Sequence, residues 1–191
     1  MQTELSRSSA ILIGSTRANY LLEVLIADLF GCKAFKADRR RINVPFHFGF
    51  RTPWRDIESC CGGLNAPVGE NRAFKEGMYF LDLQRRWCHR PTVRGKEDSG
   101  IVLTCYEPGA KGLQLAIAGV SGQATEAMGR YLTINASEFW PPYAEHKGRE
   151  LGVYVCHFKL SQESNDPNAK AYAQSMEVIP IEQKVLTKYM R

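Results

Sequence analysis

"GIVLTCYEPGAKGLQLAIAGVSGQATEAMGRYL" runs from Gly100 to Leu132. Two apolar runs flank "EPGAKG", Glu107 to Gly112, whose proline and glycines supply turn geometry. That predicts a hairpin, and a sheet containing a hairpin cannot be wholly parallel. The second run ends in Gly119 and passes through the small polar pair Ser121–Gly122. It then opens a segment in which Ala124, Ala127, Met128, Tyr131 and Leu132 recur at helical spacing. The stretch therefore reads strand, turn, strand, glycine junction, helix.

A similar junction stands near the start of the chain. "AILIG", Ala10 to Gly14, reads as a short buried strand, and "STRAN" leads into a segment with a broad apolar stripe. Leu21, Leu25 and Leu29 form one row of it, Leu22, Ile26 and Phe30 the next, with Glu23 and Asp28 turned away. Gly31 is a natural helix stop. "VPFHFGF", Val44 to Phe50, alternates like a half-buried strand, and "MYFLDL", Met78 to Leu83, is a further strand. Residues 52–77 are rich in glycine and proline and read as a loop excursion. A second hairpin is expected from "LGVYVCHFKL" and "YAQSMEVIPI" around the polar "SQESNDPNAK", with a short helix closing the chain. The element order predicts one α/β domain over residues 1–191. Its expected architecture is a Rossmann-like sandwich with a mixed sheet that includes two antiparallel hairpins.

Composition sets the class. The chain has 191 residues, 44% of them hydrophobic and 24% charged, the proportions of an ordinary globular domain with a real core. No apolar stretch approaches the roughly 20 residues a membrane-spanning helix needs. "MQTELSRSSA" lacks the order of a secretory signal, so a cytoplasmic protein with reduced thiols is expected. Of the six cysteines, Cys105 and Cys156 fall in strand-like apolar runs as small hydrophobes. The spacings give no CxxC pair; the adjacent Cys60–Cys61 and the Cys88–His89 pair could meet around zinc, but their spacing matches no established metal-ligand pattern, so no metal is expected.

The two junctions carry the chemistry. A helix N-terminus presents unpaired N–H groups and partial positive charge. Reached through glycine at the carboxyl end of a strand, it suits an anion. In the first junction Gly14 allows the turn, Ser15 and Thr16 offer hydroxyls, Arg17 a charged fork and Asn19 an amide. In the second, Gly119, Ser121, Gly122, Gln123 and Thr125 do the same without a cation. The same residue types also make ordinary turns and helix caps. If the two strands are neighbours, the loops open on one edge and form a bipartite pocket for a nucleotide-like ligand. Neither junction is a Walker loop or a full G-x-G-x-x-G fingerprint.

The strand followed by "GSTRAN" resembles Rossmann-like nucleotide-binding domains, including those that sense signalling nucleotides. "GSTR" before a helix also resembles the opening of NADPH-dependent FMN reductases. The first resemblance implies a nucleotide-binding sensor, the second a flavin oxidoreductase.

No catalytic constellation can be defended. His47 and His157 lie in predicted strands, His89 beside a basic run, and Ser121 lacks the G-x-S-x-G elbow because Gln123 takes the last position. Glu23, Glu126 and Asp82 are the acids an NAD- or nucleotide-cleaving reaction would use. Between Lys36 and Arg55, six basic residues (Lys36, Arg39, Arg40, Arg41, Arg51, Arg55) face one acid, Asp38. Phe46, Phe48 and Phe50 read as core; Trp54, Arg51 and Arg55 can rim a ligand or partner surface. The leading expectation is a non-catalytic domain that senses a nucleotide or phosphorylated ligand, with no resident cofactor. The alternatives are a nucleotide- or NAD-cleaving enzyme or flavin/NAD(P) oxidoreductase on the same scaffold, and a module that binds nucleic acid or a protein through Lys36–Arg55; a protein partner or a homo-oligomer is a further expectation.

Overall fold

The computed structural model describes residues 9–37, 43–51, 58–64, 75–107, 112–139, 144–146, 148–161 and 172–190, with backbone alone at 144–146 and 172–174. In chain order the elements are β1 (Ala10–Ile13), α1 (Tyr20–Phe30), β2 (Phe46–Gly49), β3 (Gly62–Gly63), β4 (Gly77–Leu81), β5 (Trp87–Pro91), β6 (Glu97–Glu107) and β7 (Gly112–Gly119). They continue with α2 (Gly122–Asn135), a 3-10 turn over Ala136–Phe139, β8 (Ala144–His146), β9 (Arg149–Ser161), β10 (Tyr172–Pro180) and α3 (Gln183–Tyr189).

The strands form two mixed sheets. The larger has the order β1-β7-β6-β9-β10, with β8 on β9, and the smaller has the order β3-β2-β4-β5. Both expected hairpins are present: β6 pairs antiparallel with β7, and β9 with β10. Among the described residues the parallel pairs are β1 with β7 and β2 with β3. The fold is thus α/β, but the expectation of one Rossmann-like sheet is not what the strands make. A doubly wound sheet is mainly parallel, whereas these ladders are mostly antiparallel, because each hairpin connection is too short for a parallel crossover. Phe46–Gly49, Gly62–Gly63, Gly77–Leu81 and Trp87–Pro91 form a second sheet, where the sequence suggested two separate strands and a loop. The strand over Trp87–Pro91 was not expected from its sequence, since "WCHRP" is half-buried throughout and shows no alternation.

Side-chain alternation splits the core between the two faces of the larger sheet. Ile101, Leu103, Ala116, Ala118, Val153 and Val155 point to one face, where they meet α1, α3 and the smaller sheet. Val102, Ile117, Tyr154, Cys156 and Phe158 point to the other, under Ala124 and Met128 of α2. On the first face Phe30, Phe46 and Phe48 are all 1% exposed or less. Each contributes about 1.5–3 kcal/mol by burial. Phe30 and Phe46 meet edge to face at 5.7 Å, as aromatic quadrupoles prefer.

Helix α1 starts on Asn19, whose side-chain oxygen accepts the Leu21 N–H at 3.1 Å, and stops at Gly31, left-handed with φ 64°. One expectation for α1 is corrected. Glu23, predicted to face water, is 1% exposed because residues 58–61 fold over it. Asp28 does face outward and pairs with Arg149 at 3.2 Å. Among the described residues, no helix is long and apolar enough to cross a membrane.

Candidate functional site

Strand pairing alone puts both junctions on one edge. Ile13 stands opposite Ile117, and the Gly14 N–H extends the parallel ladder to the Ile117 carbonyl at 3.0 Å. The chain then leaves β1 for α1 on one face of the sheet, and leaves β7 for α2 on the other. Neighbouring parallel strands whose connections depart to opposite faces open a crevice at their carboxyl ends. Antiparallel pairing brings the start of β6 (Glu97–Ser99) and the end of β9 (His157–Lys159) to the same edge.

Within the first junction Gly14 adopts φ 118°, a conformation reserved for glycine. Asn19 is committed internally: besides capping α1, its amide nitrogen donates to the Ile13 carbonyl at 3.3 Å. Ser15 is half-buried, and its carbonyl accepts the Ala18 and Asn19 N–H groups. Thr16 is buried, and its hydroxyl has no hydrogen-bond partner among the described residues. The Arg17 guanidinium lies 4.7 Å above the centre of the Phe50 ring. Phe50 stacks in turn on Phe48 at 6.0 Å. The aromatic row of β2 therefore ends directly beneath the cation, a contact worth about 0.5–2 kcal/mol.

The second junction is largely occupied with its own structure. Ser121 caps α2 by accepting the Ala124 N–H at 3.2 Å, and its hydroxyl donates a hydrogen bond to the Asp98 carboxylate. Thr125 accepts the Gly119 N–H at 3.1 Å and donates to the Ser121 carbonyl at 3.2 Å. A side chain on Gly119 would come within 2.4–2.6 Å of Ser121, Ala124 and Thr125, so this glycine lets α2 sit close to β7. Gly122 and Gln123 are exposed at the rim.

Asp98 was not foreseen as a site residue. It is 2% exposed and also accepts the Ser99 N–H at 2.8 Å and the Thr92 hydroxyl at 2.9 Å. Burial pushes its pKa up, against these hydrogen bonds, which act downward. The Asp98 carboxyl thus occupies the N-terminus of α2, where a ligand's phosphate was expected. The one sequence signal for it is the polar "EDS" that opens an otherwise apolar β6. Nearby, Arg90 holds Glu177 through two hydrogen bonds of 3.0 and 3.1 Å. His157 lies 3.2 Å from Glu97.

The remaining candidates do not converge. Glu126 is exposed and paired with Arg130 at 2.7 Å, while Glu23 is enclosed on the opposite face of the sheet. Asp82 closes the turn after β4 by pairing with Arg86 at 2.8 Å. His47 lies in β2, and His89 in β5 packs its ring 4.3 Å from Tyr79. Burial pushes the pKa of His89 down. Cys105 and Cys156 are buried strand residues whose thiols burial pushes up to about 11 and about 12. Of the basic segment, Lys36 and Arg51 are exposed, whereas Asp38, Arg39, Arg40, Arg41, Trp54 and Arg55 lie outside the described residues. Compared with known proteins, the chain matches no family model, no curated protein and no solved structure.

Proposed function

We propose that the chain is a cytoplasmic binding domain that senses a small phosphorylated ligand of the nucleotide class at the carboxyl edge of β1 and β7. The observation that carries the reading is the parallel β1–β7 pair with its two helices on opposite faces, an arrangement similar to that of Rossmann-like crevices. The β1–α1 junction is the phosphate half. There Arg17, held over Phe50, supplies a bidentate donor, and the buried Thr16 hydroxyl stands ready to bond a ligand oxygen. The α2 junction contributes its exposed rim, Gly122 and Gln123, while Ser121 and Thr125 hold the loop in shape. With Asp98 already at the N-terminus of α2, a second phosphate would find that place taken, which favours a ligand with its phosphates at one end. Binding rather than catalysis is the reading, because Glu23 and Glu126 lie on opposite faces of the sheet.

The test is a thermal-shift series with adenine and guanine nucleotides, NAD, cyclic dinucleotides and inorganic phosphate. A specific ligand at 100 times its Kd stabilises the fold by about 2.7 kcal/mol. Arg17→Ala is expected to weaken that binding at least tenfold, and Arg17→Lys to restore only part of it. No shift across the series, or a shift indifferent to Arg17→Ala, overturns the proposal.

A further inference from the structure

Two thiols and a carboxylate meet beside α1, with a third thiol alongside. Glu23 is in its first turn, Cys32 follows its C-cap, and Cys60–Cys61 immediately precede β3. The ligand atoms of Glu23, Cys60 and Cys61 lie within 4.8 Å of one another; the Cys32 thiol, which donates to the Phe30 carbonyl at 3.8 Å, lies beside Cys60 and outside that trio. The Cys61 sulfur stands 3.7 Å from Glu23 Oε2. Tetrahedral zinc, with bonds of about 2.3 Å to sulfur and 2.0 Å to oxygen, holds those two ligand atoms about 3.5 Å apart. The chain thus places this pair within a few tenths of an ångström of coordination distance.

We propose that Glu23, Cys60 and Cys61 hold a thiophilic divalent cation of the zinc class, with the neighbouring Cys32 as the fourth ligand. Buried cysteines ordinarily sit among hydrocarbon. Here they sit against a carboxylate that is itself oriented. The Cys60 N–H at 2.6 Å and the Phe35 N–H at 3.2 Å donate to Glu23 Oε1, and the Ser59 hydroxyl at 2.7 Å donates to Oε2. Ligands fixed by such outer partners are what metal sites require, and thiolates select zinc over harder cations. On binding, each thiol gives its proton to solvent and no electrons are transferred. The site closes the 58–61 segment onto α1, one helical turn from the proposed ligand junction, and is independent of that reading.

The full chain, reduced and freed of metal, is titrated with Zn(II) and with Co(II). Expected are one tightly held zinc per chain, protection of three thiols from a thiol reagent, and the intense visible bands of tetrahedral cobalt with a thiolate charge-transfer band. Cys32→Ser, Cys60→Ser and Cys61→Ser are each expected to weaken zinc at least tenfold. Cys88→Ser, on β5 at the opposite edge of the smaller sheet, leaves it unchanged. Wild-type protein that retains no zinc and shows no thiol protection overturns the proposal whatever the variants do. An unchanged affinity in Glu23→Gln overturns the four-ligand assignment.

Discussion

Asp98 shows how one residue can serve both structure and electrostatics. Its carboxylate is shut away from water yet tied to a helix cap, a strand N–H and a threonine hydroxyl. Because burial raises its folded pKa above that of the unfolded chain, the folded state holds this proton more tightly. The stability linked to it is fully present below about pH 4, the range of an unfolded carboxyl, and is lost as pH rises through the raised folded value. Subtracting the pH–stability curve of Asp98→Asn from that of the wild type should isolate that falling component; a flat difference contradicts it. The variant should also be less stable by about 1–3 kcal/mol, since an amide cannot accept all three donors. Asn19 offers a second measurement at this scale. Its Ala variant should lose about 1 kcal/mol in denaturant melts, the usual worth of an N-cap.

The elements owe their packing to where side chains are missing. Gly100 and Gly119 face each other across β6 and β7, and α2 lies over the pair. A Cβ on Gly119 would meet backbone atoms of the first turn of α2, and one on Gly100 would strike the end of Met128 at 2.5 Å and the Ala118 carbonyl at 2.5 Å. Gly119→Ala should therefore cost about 1–3 kcal/mol through overpacking, read as a lower denaturation midpoint with unchanged m. If it is neutral, the close approach of helix and strand is not needed. Gly119 was legible in the sequence as a junction glycine, but its role was not. The same residue type serves an anion's approach and a helix's approach, and local sequence does not distinguish them. Helix α1 was legible from its leucine rows and capping residues. The burial of Glu23 was not, because what covers it is separated from it by more than thirty residues.

At the scale of the whole molecule, the larger sheet is shared by two cores. Phe48 sits in the core that joins that sheet to the smaller one, and Phe139 in the core beneath α2. Phe48→Ala should cost about 3–5 kcal/mol, the usual range for a buried aromatic. Because the larger sheet carries a core on each face, tryptophan fluorescence and far-UV circular dichroism should report one coincident transition. Two separated transitions would show that the smaller sheet unfolds alone. The Arg90–Glu177 pair links β5 to β10 at the surface, with side chains 29% and 53% exposed. It contributes little beyond orientation in water.

By itself the sequence determined the local elements: the first helix with its stops, both hairpins, the second helix, and the phenylalanines of β2 as core. Those follow from periodicity, turn residues and caps, which act over a few positions. Only the tertiary structure decided that β1 lies beside β7, that a second sheet exists, that Asp98 sits at the N-terminus of α2, and that Glu23 meets Cys60 and Cys61. Each of these joins residues distant in the chain, so it depends on which apolar faces bury one another and on no local preference.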